Sequence, residues 1–86
     1  TMVIDISLPH RSNLLFCACS DSTIKIFDQN YTTELTKIEL ADGDRPVSIT
    51  VPEIEYENKK FSKNSHLFVI TSENKILSFN LLQNRN

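Results

Sequence analysis

LLFCACSDSTIKIFD, residues 14–28, joins an unbroken apolar run to an alternating one across a short polar step. Apolar side chains at every position of 14–19 suit a strand covered on both faces. The period-2 pattern from Thr23 onward suits its neighbour. Asp21-Ser22 between them predicts a tight two-residue turn, so the stretch reads as two antiparallel strands. The pattern then returns without a gap. Leu15, Phe16, Ser20, Ile24 and Phe27 recur 52 positions later as Leu67, Phe68, Ser72, Ile76 and Phe79. The turn recurs in kind as Glu73-Asn74, and Asp28 is answered by Asn80.

On the N-terminal side, MVIDIS at 2–7 alternates from Val3, and Pro9, Ser12 and Asn13 then break the strand. On the other side, ELTKIEL at 34–40 alternates charged and apolar positions, as a half-exposed outer strand does. Residues 1–40 therefore read as one antiparallel four-stranded meander. Residues 41–45 form a short acidic linker holding Gly43, the one glycine in the chain. Val47-Ser48-Ile49-Thr50 answers Ile4-Asp5-Ile6-Ser7 at an offset of 43 rather than 52. The missing length falls in PEIEYENKKFSKN, residues 52–64. This segment reads as a loop insertion after the first strand of a second unit, 41–86. Strands at 65–71 and 75–80 follow, and 81–86 is too short and polar for a full fourth strand.

Eighty-six residues, 40% hydrophobic and 23% charged, describe one small all-β globular unit rather than a disordered or fibrous chain. A chain of this size buries only about 60% of its unfolded surface. A net charge of −2 argues against direct contact with nucleic acid, which asks for a basic stripe. No apolar run approaches the ~20 residues of a membrane helix, so no membrane partner is expected, and Thr1-Met2 opens no signal-peptide pattern. Cys17 and Cys19 lie two apart on one strand and point the same way, a poor geometry for a mutual disulfide. Buried free thiols imply a reducing compartment, cytoplasmic or nuclear. The formal sequon Asn30-Tyr31-Thr32 points the other way, but three residues match such a pattern often by chance.

Catalytic candidates are few. His10, Cys17, Cys19 and His66 have the elements of a metal site, but Cys-x-Cys on one strand is an unusual ligand spacing. A Cys–His nucleophile needs an activating environment that an apolar strand does not supply. A lone glycine makes no phosphate loop. The carboxylates Asp42 and Asp44, and Glu53, Glu55 and Glu57, sit in acidic segments that read as solvated surface. The expectation is a protein without enzymatic activity, metal or cofactor. Residues 52–64 carry most functional interest, because Tyr56 and Phe61 stand among Lys59, Lys60 and the glutamates. Aromatics beside charges suit a partner-binding surface; the alternative is a mobile surface excursion.

Repeats of about 40–45 residues with four strands each are the signature of propeller blades. Cys19-Ser20-Asp21-Ser22-Thr23-Ile24-Lys25-Ile26-Phe27-Asp28 resembles the end of a WD40 repeat, with Ser22 where that family has Gly and Phe27 where it has Trp. Asp21 and Asp28 fall on the family's structural turn positions. The second copy departs further, at Glu73, Asn74, Phe79 and Asn80, and neither unit carries the Gly-His dipeptide. Without that histidine, Asp21 is expected to find partners in its own turn. The resemblance implies about two WD40-like β-propeller blades, a fragment of a larger ring whose remaining blades belong to the same or another chain. It also implies a non-catalytic scaffold or adaptor that contacts other protein subunits. The alternative it carries is a WD-repeat subunit supporting the catalytic partner of an RNA-modifying complex, such as the tRNA guanine-7 methyltransferase. Blade geometry would gather the loops at 8–13, 29–33 and 52–64 at one end, and the turns at 21–22, 41–45 and 73–74 at the other.

Overall fold

The structure, a computed structural model, describes residues 1–9, 12–28, 30 and 32–82. His10, Tyr31 and the stretch 83–86 lie outside the described residues. The fold is all-β and antiparallel, with no helix among the described residues, hence none long and apolar enough to cross a membrane. β1 (Val3–Ser7), β2 (Leu15–Cys19), β3 (Thr23–Phe27) and β4 (Glu34–Glu39) pair in chain order as one four-stranded sheet. After them come β5 (Pro46–Glu53), β6 (Tyr56–Glu57), β7 (Lys60–Phe61), β8 (His66–Thr71) and β9 (Ile76–Asn80). β5, β8 and β9 form a three-stranded sheet, and β6 with β7 makes a separate hairpin.

The two sheets share one register. Leu15 faces Phe27 as Leu67 faces Phe79, and Ala18 faces Ile24 as Ile70 faces Ile76. Ile6 opposes Cys17 as Ile49 opposes Val69. The irregularity in the first strand repeats too, between Val3 and Asp5 and between Pro46 and Ser48. Sequence offsets of 52 and 43 thus translate into matching positions in space. Phe27 and Phe79 hold matching places opposite Leu15 and Leu67, and both are half-buried.

Equivalent residues nevertheless differ in burial, because the sheets do not meet like face to like face. Phe16, Ala18 and Ile24 in the first sheet are 0% exposed. Their counterparts Phe68, Ile70 and Ile76 are 38%, 40% and 72% exposed. Register puts the covered residues of the second sheet, Ile49, Leu67 and Val69, on its other face. One core cluster joins that face to Phe16, Ala18, Ile24, Ile26 and Ile38. The stack is therefore head to tail: one face of the first sheet meets the opposite face of the second. The Asp5 carboxylate fastens the junction by accepting the Ile49 amide at 2.8 Å.

Four expectations change. The turn after β2 holds three residues, Ser20 to Ser22, since Cys19 pairs with Thr23. The Ser22 amide donates to the Cys19 carbonyl at 3.2 Å, and Ser22 itself is left-handed at φ 64°. Asn74, at φ 65°, ends the matching turn after β8. This is the three-residue hairpin in which a tight turn is followed by one left-handed residue, a place glycine usually fills. β2 is also covered on its second face without another layer. Ile6 and Lys25 flank Cys17, and Val3 and Thr23 flank Cys19, so both thiols are buried and free. Next, residues 52–64 are largely ordered by β6 and β7 and are no loose excursion. Finally, Asp44 is buried rather than solvated, and Lys75 donates to its Oδ1 at 2.9 Å.

Head-to-tail stacking predicts unequal costs at equal repeat positions. Phe16→Ala should cost about 3–5 kcal/mol, as truncation of a fully buried aromatic does. Phe68→Ala in the same isolated chain should cost well under half of that. Urea denaturation of the two variants beside the unaltered chain measures the difference.

Candidate functional site

The most built feature outside the two sheets is the hairpin at 56–61, and it begins with a local conflict. Glu57 pairs with Lys60, which leaves only Asn58 and Lys59 to turn the chain. Both take left-handed backbone, at φ 53° and 63°. A two-residue turn of that kind favours Asn first and Gly second, so Lys59 sits where a side chain is disfavoured. Something must hold the strands together against that cost. Tyr56 and Phe61 face each other across the hairpin with ring centroids 4.7 Å apart and planes tilted by 50°. Both rings are half-buried and pack against the main core.

Below the rings, polar bonds fix the hairpin to β8. The buried Ser65 hydroxyl accepts the Glu55 amide at 2.8 Å and donates to the Glu55 carbonyl at 2.9 Å. Ser62 donates its amide to that same carbonyl at 2.9 Å and its hydroxyl to Glu55 Oε1 at 2.6 Å. Leu81 reaches back with its amide to the Ser65 carbonyl at 2.9 Å. Glu55 is thus a brace, and Tyr56 and Phe61 are a packed, half-buried pair. Lys59 and Lys60 stand exposed at the tip.

The hairpin forms one wall of an open groove. Ser12, Asn13 and Leu14 line it from the loop after β1, and Asp28, Asn30 and Thr33 line it from the loop after β3. Leu35, Tyr56 and Lys59 complete it. The three loops assigned to one end by strand alternation do converge there. Asp28 holds its loop in shape, because its Oδ1 accepts the amides of Asn30, Thr32 and Thr33 at 3.2–3.4 Å. Asn80 does the same more simply for the Leu82 amide at 3.0 Å. At the opposite end, the Leu40 amide meets the Ser22 carbonyl and the Ser72 amide meets the Arg45 carbonyl, each at 2.9 Å.

Asp21 finds its partner inside its turn: the Thr23 hydroxyl donates to its Oδ1 at 2.6 Å. That hydroxyl is the main reason the Asp21 carboxyl titrates below its ordinary value, with Lys25 assisting. The Lys75 ammonium is held above its usual value by its bond to Asp44. Burial pushes the Cys17 thiol up, so it stays protonated and is a poor nucleophile. Among the described residues no three His, Cys, Asp or Glu side chains gather as metal ligands. His66 instead lies 4.0 Å from Glu53 and 3.3 Å from the Asn64 carbonyl. Among the described residues the groove offers hydrogen-bonding side chains, the Asp28 carboxylate, the Lys59 ammonium and the half-buried Tyr56.

The hairpin holds Tyr56, Lys59, Lys60 and Phe61, which the sequence offered as a partner-binding surface, and it is braced by Ser65 and Glu55, which sequence reasoning did not single out. A small polar residue opening an apolar strand, ten positions from a glutamate, gives no pattern that singles it out. Comparison with protein-family models, with curated proteins and with solved structures finds no match for this chain.

Two outcomes follow from these bonds. Ser65→Ala strands the Glu55 amide and should cost about 1–3 kcal/mol. Hydrogen exchange should show the loss concentrated in the amides of 55–62. Thr23→Val should raise the Asp21 carboxyl toward its ordinary range in a carbon-detected NMR titration. A lowered carboxyl stabilises the fold above its unfolded value and loses that contribution as pH falls through the folded one. The Val variant should therefore lose stability at neutral pH relative to the unaltered chain, and the difference should vanish in acid.

Proposed function

We propose that this chain is a non-catalytic scaffold of WD40-like β-propeller type, contributing two blades to a larger ring and binding other protein subunits. The observation that carries the reading is the head-to-tail stack of two sheets in one register. Two sheets related in this way use one face each and leave one face each. Such an arrangement suits a series rather than a closed pair. The leftover faces carry exposed apolar residues, and on the first sheet the charged Lys25, Lys37 and Glu39 share that face. Val3 and Ile6 are exposed on the first sheet, and Phe68, Ile70 and Ile76 on the second. Exposed aliphatic rows of this kind mark surfaces that meet other protein.

The loop end supplies the second contact in this reading. A hairpin beside two capped loops places Lys59 in the groove wall, with Lys60 exposed beside it at the tip. Such a platform suits an acidic or hydrogen-bonding segment of a neighbouring subunit. Among the described residues that line the groove, none pairs a nucleophile with a base, and the scaffold role asks for neither.

Hydroxyl-radical footprinting of the native assembly tests the reading. Phe68 and Ile76 should be oxidised several-fold less in the assembly than in the isolated chain, as mass spectrometry reads it. Equal oxidation in both samples would sink the blade reading. Charge reversal of Lys59 and Lys60 together should weaken assembly by more than about 2 kcal/mol. Asp42→Lys at the opposite end should change it little.

A further inference from the structure

We propose that the chain associates head to tail with a second copy of itself, the outer face of its second sheet covering the outer face of the next copy's first sheet. The inference rests on the repeat reading above and names the partner. Its basis is that the interface needed already exists once, inside the chain. Phe16, Ala18 and Ile24 meet the second sheet there at 0% exposure. Phe68, Ile70 and Ile76 hold the same register positions on the second sheet and lie open. On the receiving side, Leu67, Val69 and Ile49 are covered, and their counterparts Leu15, Cys17 and Ile6 lie on the outer side of the first sheet, where Ile6 is open, Leu15 half-buried and Cys17 sheltered by its neighbours. Each open face is therefore the repeat-equivalent of a face that its opposite number already covers.

The polar clamp carries over as well. Within the chain, the Asp5 carboxylate takes the Ile49 amide. Ser48 and Ile6 occupy the matching places on the two open faces. In the stacked copies the Ser48 hydroxyl takes the Ile6 amide of the next copy. Three differences weaken the second interface relative to the first: Ser78 stands where Ile26 does, Lys25 stands where Leu77 does, and the three-stranded second sheet has no counterpart of Ile38. The internal junction is consequently permanent, while the junction between copies is reversible and depends on concentration. Because the two faces differ, the contact does not close on itself as a two-fold dimer would.

Sedimentation equilibrium of the wild type, Ile76→Asp, Ile6→Asp and an equimolar mixture of the two variants tests this. Both substituted residues are more than half exposed, so each variant retains its core. Ile70→Asp and Val3→Asp stand in on the same faces if either fails to fold. The expected result is a wild-type mass that rises with concentration, monomeric single variants, and a mixture that forms a two-chain species and grows no further. Association of a single variant with itself, or a mixture that stays monomeric, overturns the proposal. A monomeric wild type also overturns it, and an apolar dye then separates two failures. Dye binding that Ile76→Asp abolishes leaves the open-face reading standing without the second copy. Absence of dye binding removes both.

Discussion

Everything in this molecule depends on the covering of sheet faces. A strand such as β2, apolar on both sides, is stable only where both sides are shielded from water. The chain meets that need in two ways. One face of β2 packs on the second sheet, with Phe16 and Ala18 fully enclosed. The other face is shielded within its own sheet, where longer neighbours flank the small thiols of Cys17 and Cys19. Cysteine suits that face because it is apolar and short enough to lie beneath Ile6 and Lys25. The second sheet has no such device. Val69 and Leu67 are enclosed by the first sheet, but Phe68 and Ile70 on the reverse side are too large for flanking residues to hide.

The turns show a second constraint, the near absence of glycine. Five described non-glycine residues, Asn13, Ser22, Asn58, Lys59 and Asn74, take left-handed backbone, against one glycine, Gly43. Asparagine tolerates that conformation best, and it supplies three of the five. Ser22 and Lys59 cost more, roughly 1 kcal/mol or above each. Each is held by the closed strand pair around it: Cys19 with Thr23, and Tyr56 with Phe61. Side-chain caps add to this. Asp21 takes the Thr23 hydroxyl and Asp28 gathers three amides, while in the second unit Thr71 Oγ1 accepts the amides of Glu73 and Lys75. Different residues thus perform one task in the two units, which is why the second turn looks degenerate when read as letters.

Periodicity and repetition made the sheets legible. Alternation in Thr23–Phe27 and the offset from Phe16 to Phe68 are written in residue types, and backbone pairing obeys them. Which face of each sheet would be covered was not written there, because Phe16 and Phe68 are the same letter in unlike surroundings. Burial depends on what lies opposite, and that is fixed by stacking. The segment at 52–64 failed to read as a hairpin for a similar reason. Its two strands are two residues each, too short for alternation to register. Its order comes from Ser65 and Glu55, a contact between a strand start and a loop. Asp44 looked solvated because its partner, Lys75, is supplied from the other side of the second sheet's turn.

The two ends of the stack differ in what their bonds can spare. At the turn end, backbone groups bond across neighbouring turns, Leu40 to Ser22 and Ser72 to Arg45, and the buried Asp44 is paired with Lys75. Those donors and acceptors are spent on holding the chain together. At the loop end, Asp28 caps its own loop, Ser12 Oγ bonds back to the Pro9 carbonyl, and Glu55 and Ser65 lock the hairpin. Among the described residues, only the chain at the end of β9 reaches across, from Asn80 and Leu81 to the Lys63 and Ser65 carbonyls. Loops fixed internally do not need one another, so the space between them stays open as a groove lined by Asn13, Asn30, Thr33 and Lys59. The same backbone that turns tightly at one end therefore leaves an open groove at the other, and the hairpin within 52–64 forms one of its walls.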